Sequence, residues 1–130
     1  MGMDVFGIAP TSDKGNYFRN NIWHWYPLLD VIARTNVLDE ETLKGMGFND
    51  GLGANADDAI RLADALDNLV RDMDDDFEFV TEEQHPLESA MINMIEEISE
   101  ERIVRIGSTT VKNIKEFAHF CRDSGGFQVF

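Results

Sequence analysis

The sequence predicts an α+β fold: a small sheet formed by N-terminal, middle and C-terminal strands, packed with four to five helices. Three observations lead there. Apolar residues recur at helical spacing in three separate stretches, so that neighbours at i+3 and i+4 share a face. Between two of these stretches Phe77, Phe79 and Thr81 alternate with Glu78 and Val80, the period of a strand. Both chain ends are short apolar segments suited to extended pairing. With 130 residues, 43% of them hydrophobic, a single domain over residues 1–130 can bury about two-thirds of the surface its unfolded chain exposes.

Residues 3–8 read as a strand that stops at Ala9-Pro10, because proline forces an extended or turning chain. Residues 11–21 read as polar and turn-rich. Pro27 suits the first turn of a helix, where its missing N–H costs nothing, and Leu28, Leu29 and Ile32 make one stripe with Trp25. Asp39 is placed to cap a short helix over Glu40–Met46, followed by a glycine-dense loop over residues 45–53. Asn55 is placed to cap a longer helix whose first turn holds Asp57 and Asp58, the charge preferred at that end. Its core stripe is Ala59, Leu62, Ala63, Leu66, Leu69, Val70 and Met73. Pro86 opens a further helix with Leu87, Ala90, Met91, Met94, Ile95 and Ile98 inward, and Ile103, Val104 and Ile106 fit either its continuation or a strand. Ser108 is the expected cap of a last helix with Val111, Ile114, Phe117, Ala118 and Cys121 inward, ended by Gly125-Gly126. Phe127, Val129 and Phe130 form a terminal strand whose backbone groups need partners, and residues 3–8 are the natural ones.

Charge narrows the function classes. Twenty-five acids against eleven Lys and Arg give a net charge of −14. That argues against direct binding to nucleic acid or an anionic membrane, which needs cationic side chains. The excess lies in residues 37–101, where twenty acids meet only Lys44, Arg61 and Arg71, while residues 102–130 carry five bases and two acids. One cysteine excludes an internal disulfide framework and a Cys-based zinc site. No apolar run is long enough for a membrane span, and the N-terminus has no basic, apolar-cored signal region, so a cytoplasmic location is expected.

Three stretches imitate chemistry, and each fails a physical test. Gly51, Gly53 and Ala56 match a loose dinucleotide-loop spacing, but Asp50, Asp57 and Asp58 would repel a pyrophosphate. Asp72, Asp74, Asp76, Glu78 and Glu83 reproduce calcium-loop spacing, yet Phe77 stands where that loop requires glycine. His24, His85 and His119 show no metal-ligand spacing, and no serine sits in a nucleophile elbow. No cofactor and no metal are expected.

Residues 17–27 hold both tryptophans and both tyrosines. They read either as a core corner or as the lining of a small pocket. Together, Met3-Asp4-Val5-Phe6-Gly7 with Pro10, Tyr17-Phe18-Arg19-Asn20-Asn21 with Trp23, Trp25 and Pro27, Asn49-Asp50-Gly51, and Phe117-Ala118 through Ser124-Gly125-Gly126-Phe127 resemble a family of small uncharacterised bacterial and phage proteins. Similar proteins often have an arginine before the proline, where this chain has Tyr26. The resemblance implies one compact domain of bacterial or phage origin and no particular activity.

Two function classes follow. The first is a non-enzymatic acidic interaction protein, phage- or mobile-element-derived, that binds a basic surface of another protein, whether or not that surface also binds nucleic acid, as an inhibitor or modulator. Its expected face is Asp57, Asp58, Asp64, Asp67, Asp72, Asp74, Asp75, Asp76, Glu96, Glu97, Glu100 and Glu101. The alternative is a small-molecule-binding or enzymatic domain with a pocket between residues 17–27 and residues 49–53. That pocket would use Tyr17, Arg19, Asn20, Asn21, Trp23, Trp25, Asn49 and Asp50, with Asp50 as a base and Arg19 as an anion anchor. A filled aromatic core at that place favours the first class.

Overall fold

The two ends of the chain lie side by side. In the computed structural model, which describes residues 2–48, 50–81 and 107–130, strand β1 (Gly2–Gly7) pairs antiparallel with the last strand, β6 (Phe127–Val129), with Val5 opposite Val129. Asp4 and Phe130 extend the ladder by exchanging both backbone hydrogen bonds, at 2.9 and 2.7 Å. The other flank of β1 carries β2 (Tyr17–Asn21), in register from Gly2–Asn21 to Phe6–Tyr17, and the other flank of β6 carries β3 (Gly53–Ala54). The main sheet therefore runs β2-β1-β6-β3. A separate antiparallel ribbon joins β4 (Glu78–Thr81) to β5 (Gly107–Thr110). With helices α1 (Ile22–Arg34), α2 (Glu40–Met46), α3 (Ala56–Val70) and α4 (Val111–Ser124), the architecture is α+β.

The pairing of the chain ends matches the sequence expectation, and the middle strand differs from it. β4 joins β5 rather than the terminal strands, and β2 and β3 complete the main sheet instead. The reason is distance. α3 leaves directly from the β3 edge, and its fifteen residues carry the chain about 22 Å onward before β4 begins.

The caps show how local chemistry fixes the helices. The Asp39 carboxylate accepts the Thr42 N–H at 2.7 Å, and the Asn55 carbonyl accepts the Asp58 N–H at 2.8 Å, both as expected. The last cap differs. Residues 107–110 belong to β5, so Ser108 is not the cap, and the Thr110 hydroxyl accepts the Asn113 N–H at 3.1 Å. α4 ends at Gly125 in the left-handed region, φ 67°.

α1 starts earlier than Pro27 implies. Asn21 accepts the His24 N–H at 3.1 Å, so the helix opens at Ile22 and the proline stands inside it. Proline offers no N–H to the Trp23 carbonyl. Gly107 closes against that oxygen, and a side chain there would place its Cβ 2.1 Å away. Residues 17–21, expected as turns, form β2 because Phe18 and Asn20 both face inward. The Asn20 amide meets that of Asn113 reciprocally, at 2.8 and 3.1 Å.

The helices cover one face of the main sheet. Met3, Val5, Phe127 and Val129 meet Trp25, Leu28 and Ile32 of α1, Leu62 and Leu66 of α3, and Ile114 and Phe117 of α4 in one buried cluster. Phe117 is its hub, with ring centroids 5.0–5.8 Å from those of Phe18, Trp25, Phe120 and Phe127. Leu69, expected in the core, is exposed instead, and Met73 packs half-buried at the core's margin. The helix expected from Pro86 and the ambiguous Ile103, Val104 and Ile106 lie outside the described residues.

Candidate interaction surfaces

α3 presents its apolar stripe to α4, which forces its aspartates outward. Asp57, Asp64, Asp72, Asp74, Asp75 and Asp76 are exposed, and Asp58 and Asp67 half-buried. Four of these eight are met by cations. Arg122 of α4 spans Asp64 and Asp67 at 2.8 and 2.7 Å, Arg61 meets Asp58 at 3.0 Å, and Lys115 meets Asp75 at 2.7 Å. The two carboxylates hold the Arg122 guanidinium above its ordinary pKa. Asp57, Asp72, Asp74 and Asp76 make no ion pair with any of the described residues. Glu96, Glu97, Glu100 and Glu101 lie outside the described residues.

The turn with calcium-like spacing has its main chain engaged by protein. Asp74 O accepts the Phe77 N–H at 3.1 Å, Asp75 O the Lys112 N–H at 3.0 Å and Phe77 O the Val111 N–H at 2.9 Å. Among the described residues, no three His, Cys, Asp or Glu side chains converge as a metal site. The Gly51–Gly53 segment serves the sheet: Gly51 N–H donates to Val129 O at 2.8 Å. A Cβ at Gly53 would stand 1.9 Å from Phe127 O, so only glycine lets β3 approach β6 this closely.

The residues of the alternative pocket are dispersed. Trp25 is fully buried and its indole N–H donates to Met46 O at 3.0 Å, while the buried Tyr26 hydroxyl donates to Gly47 O at 2.6 Å. These two rings tie α1 to the end of α2 and fill the space beside the loop. Trp23 is exposed on the first turn of α1, and Asn20 is taken by Asn113. Asn21 is the α1 cap, and Asn49 lies outside the described residues. Arg19 stands on the β2 edge and Asp50 next to β3, at the opposite edge with two strands between them. The structure does not bring this pair together.

Arg19 has a partner the sequence analysis missed. It donates to Asp4 across the β1–β2 pair at 2.5 Å, and the Tyr17 hydroxyl donates to the same carboxylate oxygen. The Tyr17 hydrogen bond and then Arg19 hold the Asp4 carboxyl below its ordinary pKa, and the same bond raises that of Tyr17. This network lies on the sheet face turned away from the helices, beside a row of rings. Phe6, Tyr17 and Phe130 are 45, 44 and 46% exposed there, and the Phe6 centroid is 5.2 Å from Tyr17 and 6.0 Å from Phe130. The legible signal was the alternation of residues 3–6, which buries Met3 and Val5 and so must turn Asp4 and Phe6 outward.

The one cysteine is shielded. Cys121 is fully buried, and burial pushes its thiol well above the ordinary value, away from a reactive thiolate. No helix among the described residues is long and apolar enough to cross a membrane. Comparisons with protein-family models, curated proteins and solved structures find no match to this chain.

Proposed function

We propose that the protein is a non-enzymatic interaction domain that docks its acidic helical side on a basic surface of another protein, one that itself binds nucleic acid, and so inhibits or modulates it. The observation that supports this reading is charge left over after pairing. Once Arg61, Lys115 and Arg122 have met four aspartates, Asp57, Asp72, Asp74 and Asp76 still face outward without a cation among the described residues. Net charge of this size steers oppositely charged partners and makes association salt-sensitive. Trp25 and Tyr26, packed where the alternative pocket would open, favour this class over a small-molecule site. The resemblance to small bacterial and phage proteins adds a bacterial cytoplasmic setting and an origin in phage or a mobile element.

The test is capture of basic proteins from a bacterial lysate, compared with a variant carrying Asp57→Lys, Asp72→Lys, Asp74→Lys and Asp76→Lys. Capture at about 50 mM salt should vanish at about 0.5 M, where the Debye length falls to roughly 4 Å. The variant should fold and capture nothing. Partners retained equally by the variant would overturn the assignment of this side.

A further inference from the structure

We infer that a cleft between the Asp13–Gly15 turn, β2 and the exposed flank of α4 is a binding site for a small organic anion, one carboxylate or phosphate group carried on a flat apolar body. The cleft has a volume of about 320 Å³, at the lower end of the range of about 300–1,000 Å³ in which small molecules are held. Its chemistry runs against that of the chain. In a protein with eleven Lys and Arg and twenty-five acids, Lys14, Lys112 and Lys115 converge on this opening, where the acids among the described lining residues are Asp75 and Glu116. Asp75 is neutralised by Lys115 at 2.7 Å, which leaves Lys14 and Lys112 as two cations against the single carboxylate of Glu116. Lys14 and Lys112 make no ion pair with any of the described residues, so their ammonium groups are available to an incoming anion. His119, at the far end, is turned to Asp123 at 3.2 Å.

The rest of the wall is aromatic. Phe18 lines it half-buried, backed by the fully buried Phe120 with ring centroids 5.9 Å apart, and the half-exposed Tyr17 closes one side. A ligand that was only an ion would leave Tyr17 and the uncovered part of Phe18 in water, and an uncharged ring would leave both lysines unused. The combined surface fits a ligand with both parts, as pockets built from apolar walls and a few placed polar groups do. The overall charge of the chain does not forbid this. At physiological salt the carboxylates of α3 beyond about 8 Å are screened, and against the nearer ones, Glu116 in the wall and Asp74 and Asp76 beside Asp75, the two lysines act at contact. The cleft adjoins the acidic side proposed above at Asp75, and the two readings are told apart because this one is tested on Lys14 and Lys112 and the other on Asp57, Asp72, Asp74 and Asp76.

The experiment is a titration of the isotope-labelled protein with phenyl phosphate at about 0.15 M salt, followed by amide shifts. Inorganic phosphate and benzyl alcohol serve as the charge-only and ring-only probes. Saturable shifts centred on Tyr17, Lys112, Lys115 and Phe120 are expected with phenyl phosphate, with each partial probe binding at least about tenfold more weakly. Lys14→Glu with Lys112→Glu should weaken phenyl phosphate at least about tenfold, since both cations offered to the anion become like charges. Both lysines are exposed, so melting should be unchanged, and Lys14→Gln alone gives a second, milder reading. The inference is overturned if no saturable shift appears, if either partial probe binds as well as phenyl phosphate, or if the double variant binds unchanged.

Discussion

The two sides of this molecule meet solvent by different means. On the helical side, α3 and the turn after it place eight aspartates at or near the surface and pair four of them with cations. On the open side of the sheet, Phe6, Tyr17 and Phe130 stand half exposed, and the charged pair beside them, Asp4 and Arg19, cancels. The helical side keeps its net charge because carboxylates at i and i+3 point the same way and, among the described residues, cations reach them from α3 and α4 alone. The sheet side stays neutral because cross-strand register sets Asp4 opposite Arg19. Field and solubility therefore belong to one side, and area and aromatic packing to the other.

The largest effect expected is loss of the element that both sides share. β6 lies between β1 and β3 and carries Phe127 and Val129 into the core. Deleting residues 127–130 breaks two ladders and removes two buried side chains, each worth about 2–5 kcal/mol, which is comparable to the whole stability of a small domain. The truncated chain should show no cooperative melting transition by circular dichroism. A folded truncation would mean that the helices hold together without the sheet.

Next comes Phe117→Ala, which removes the ring touching β2 through Phe18, β6 through Phe127 and α1 through Trp25. A loss of about 3–5 kcal/mol in denaturant titration is expected. A smaller substitution separates the sides. Arg122→Ala leaves Asp64 and Asp67 facing each other without their shared cation. Because these groups are partly exposed, the cost should be about 1 kcal/mol and should shrink as salt screens the remaining repulsion. A cost that does not respond to salt would show that Arg122 acts through the packing of its stem alone.

What was legible in the sequence follows from how local each device is. The caps Asp39 and Asn55 act on N–H groups three residues away, so residue type and spacing were enough. The stripes of α3 and α4 were read from period alone, with Leu69 the exception, a large apolar side chain left at the margin of the buried face. The cap of α4 was misplaced because Ser108, Thr109 and Thr110 offer three adjacent hydroxyls, and β5 pairing with β4 decides among them. β2 was hidden because one of its two inward positions is Asn20, a polar residue that becomes acceptable only beside Asn113, 93 residues later in the chain. The acidic side was visible in composition, whereas its partial neutralisation by Arg122 and Lys115 was not, because both cations come from α4. For the same reason the lysine-lined cleft could not be assembled from the sequence. Its signal was the basic excess of the last residues, which marks a region and not a place.

The smallest effect is the most diagnostic for the sheet side. Tyr17→Phe keeps the ring against Phe6 and removes only the hydroxyl that donates to Asp4. In the folded protein that bond holds the Asp4 carboxyl below its ordinary value and Tyr17 above its own. A lowered carboxyl pKa adds stability that is complete above the unfolded value, about 3.9, and is lost as pH falls through the folded one. A raised tyrosine pKa adds stability that is complete below about 10 and is lost as pH rises through the folded value. The wild-type protein should therefore lose denaturation midpoint at both ends, below about pH 4 and towards about pH 10, and Tyr17→Phe should lessen both losses. Arg19 on Asp4 keeps part of the acid limb, and the buried Tyr26 and Cys121, also raised by burial, keep part of the alkaline one. Asp4→Asn should lessen the acid limb further, since no carboxylate remains to be protonated and the Arg19 contribution goes with it. Asp39, whose carboxyl is lowered by its capping bonds to Thr42 on α2, supplies an acid-limb contribution that neither substitution touches. Part of the acid loss must then survive in both variants. Midpoint profiles that coincide with wild type at both limbs would show that the Tyr17–Asp4 bond adds nothing to folding, and that the rings alone hold this face.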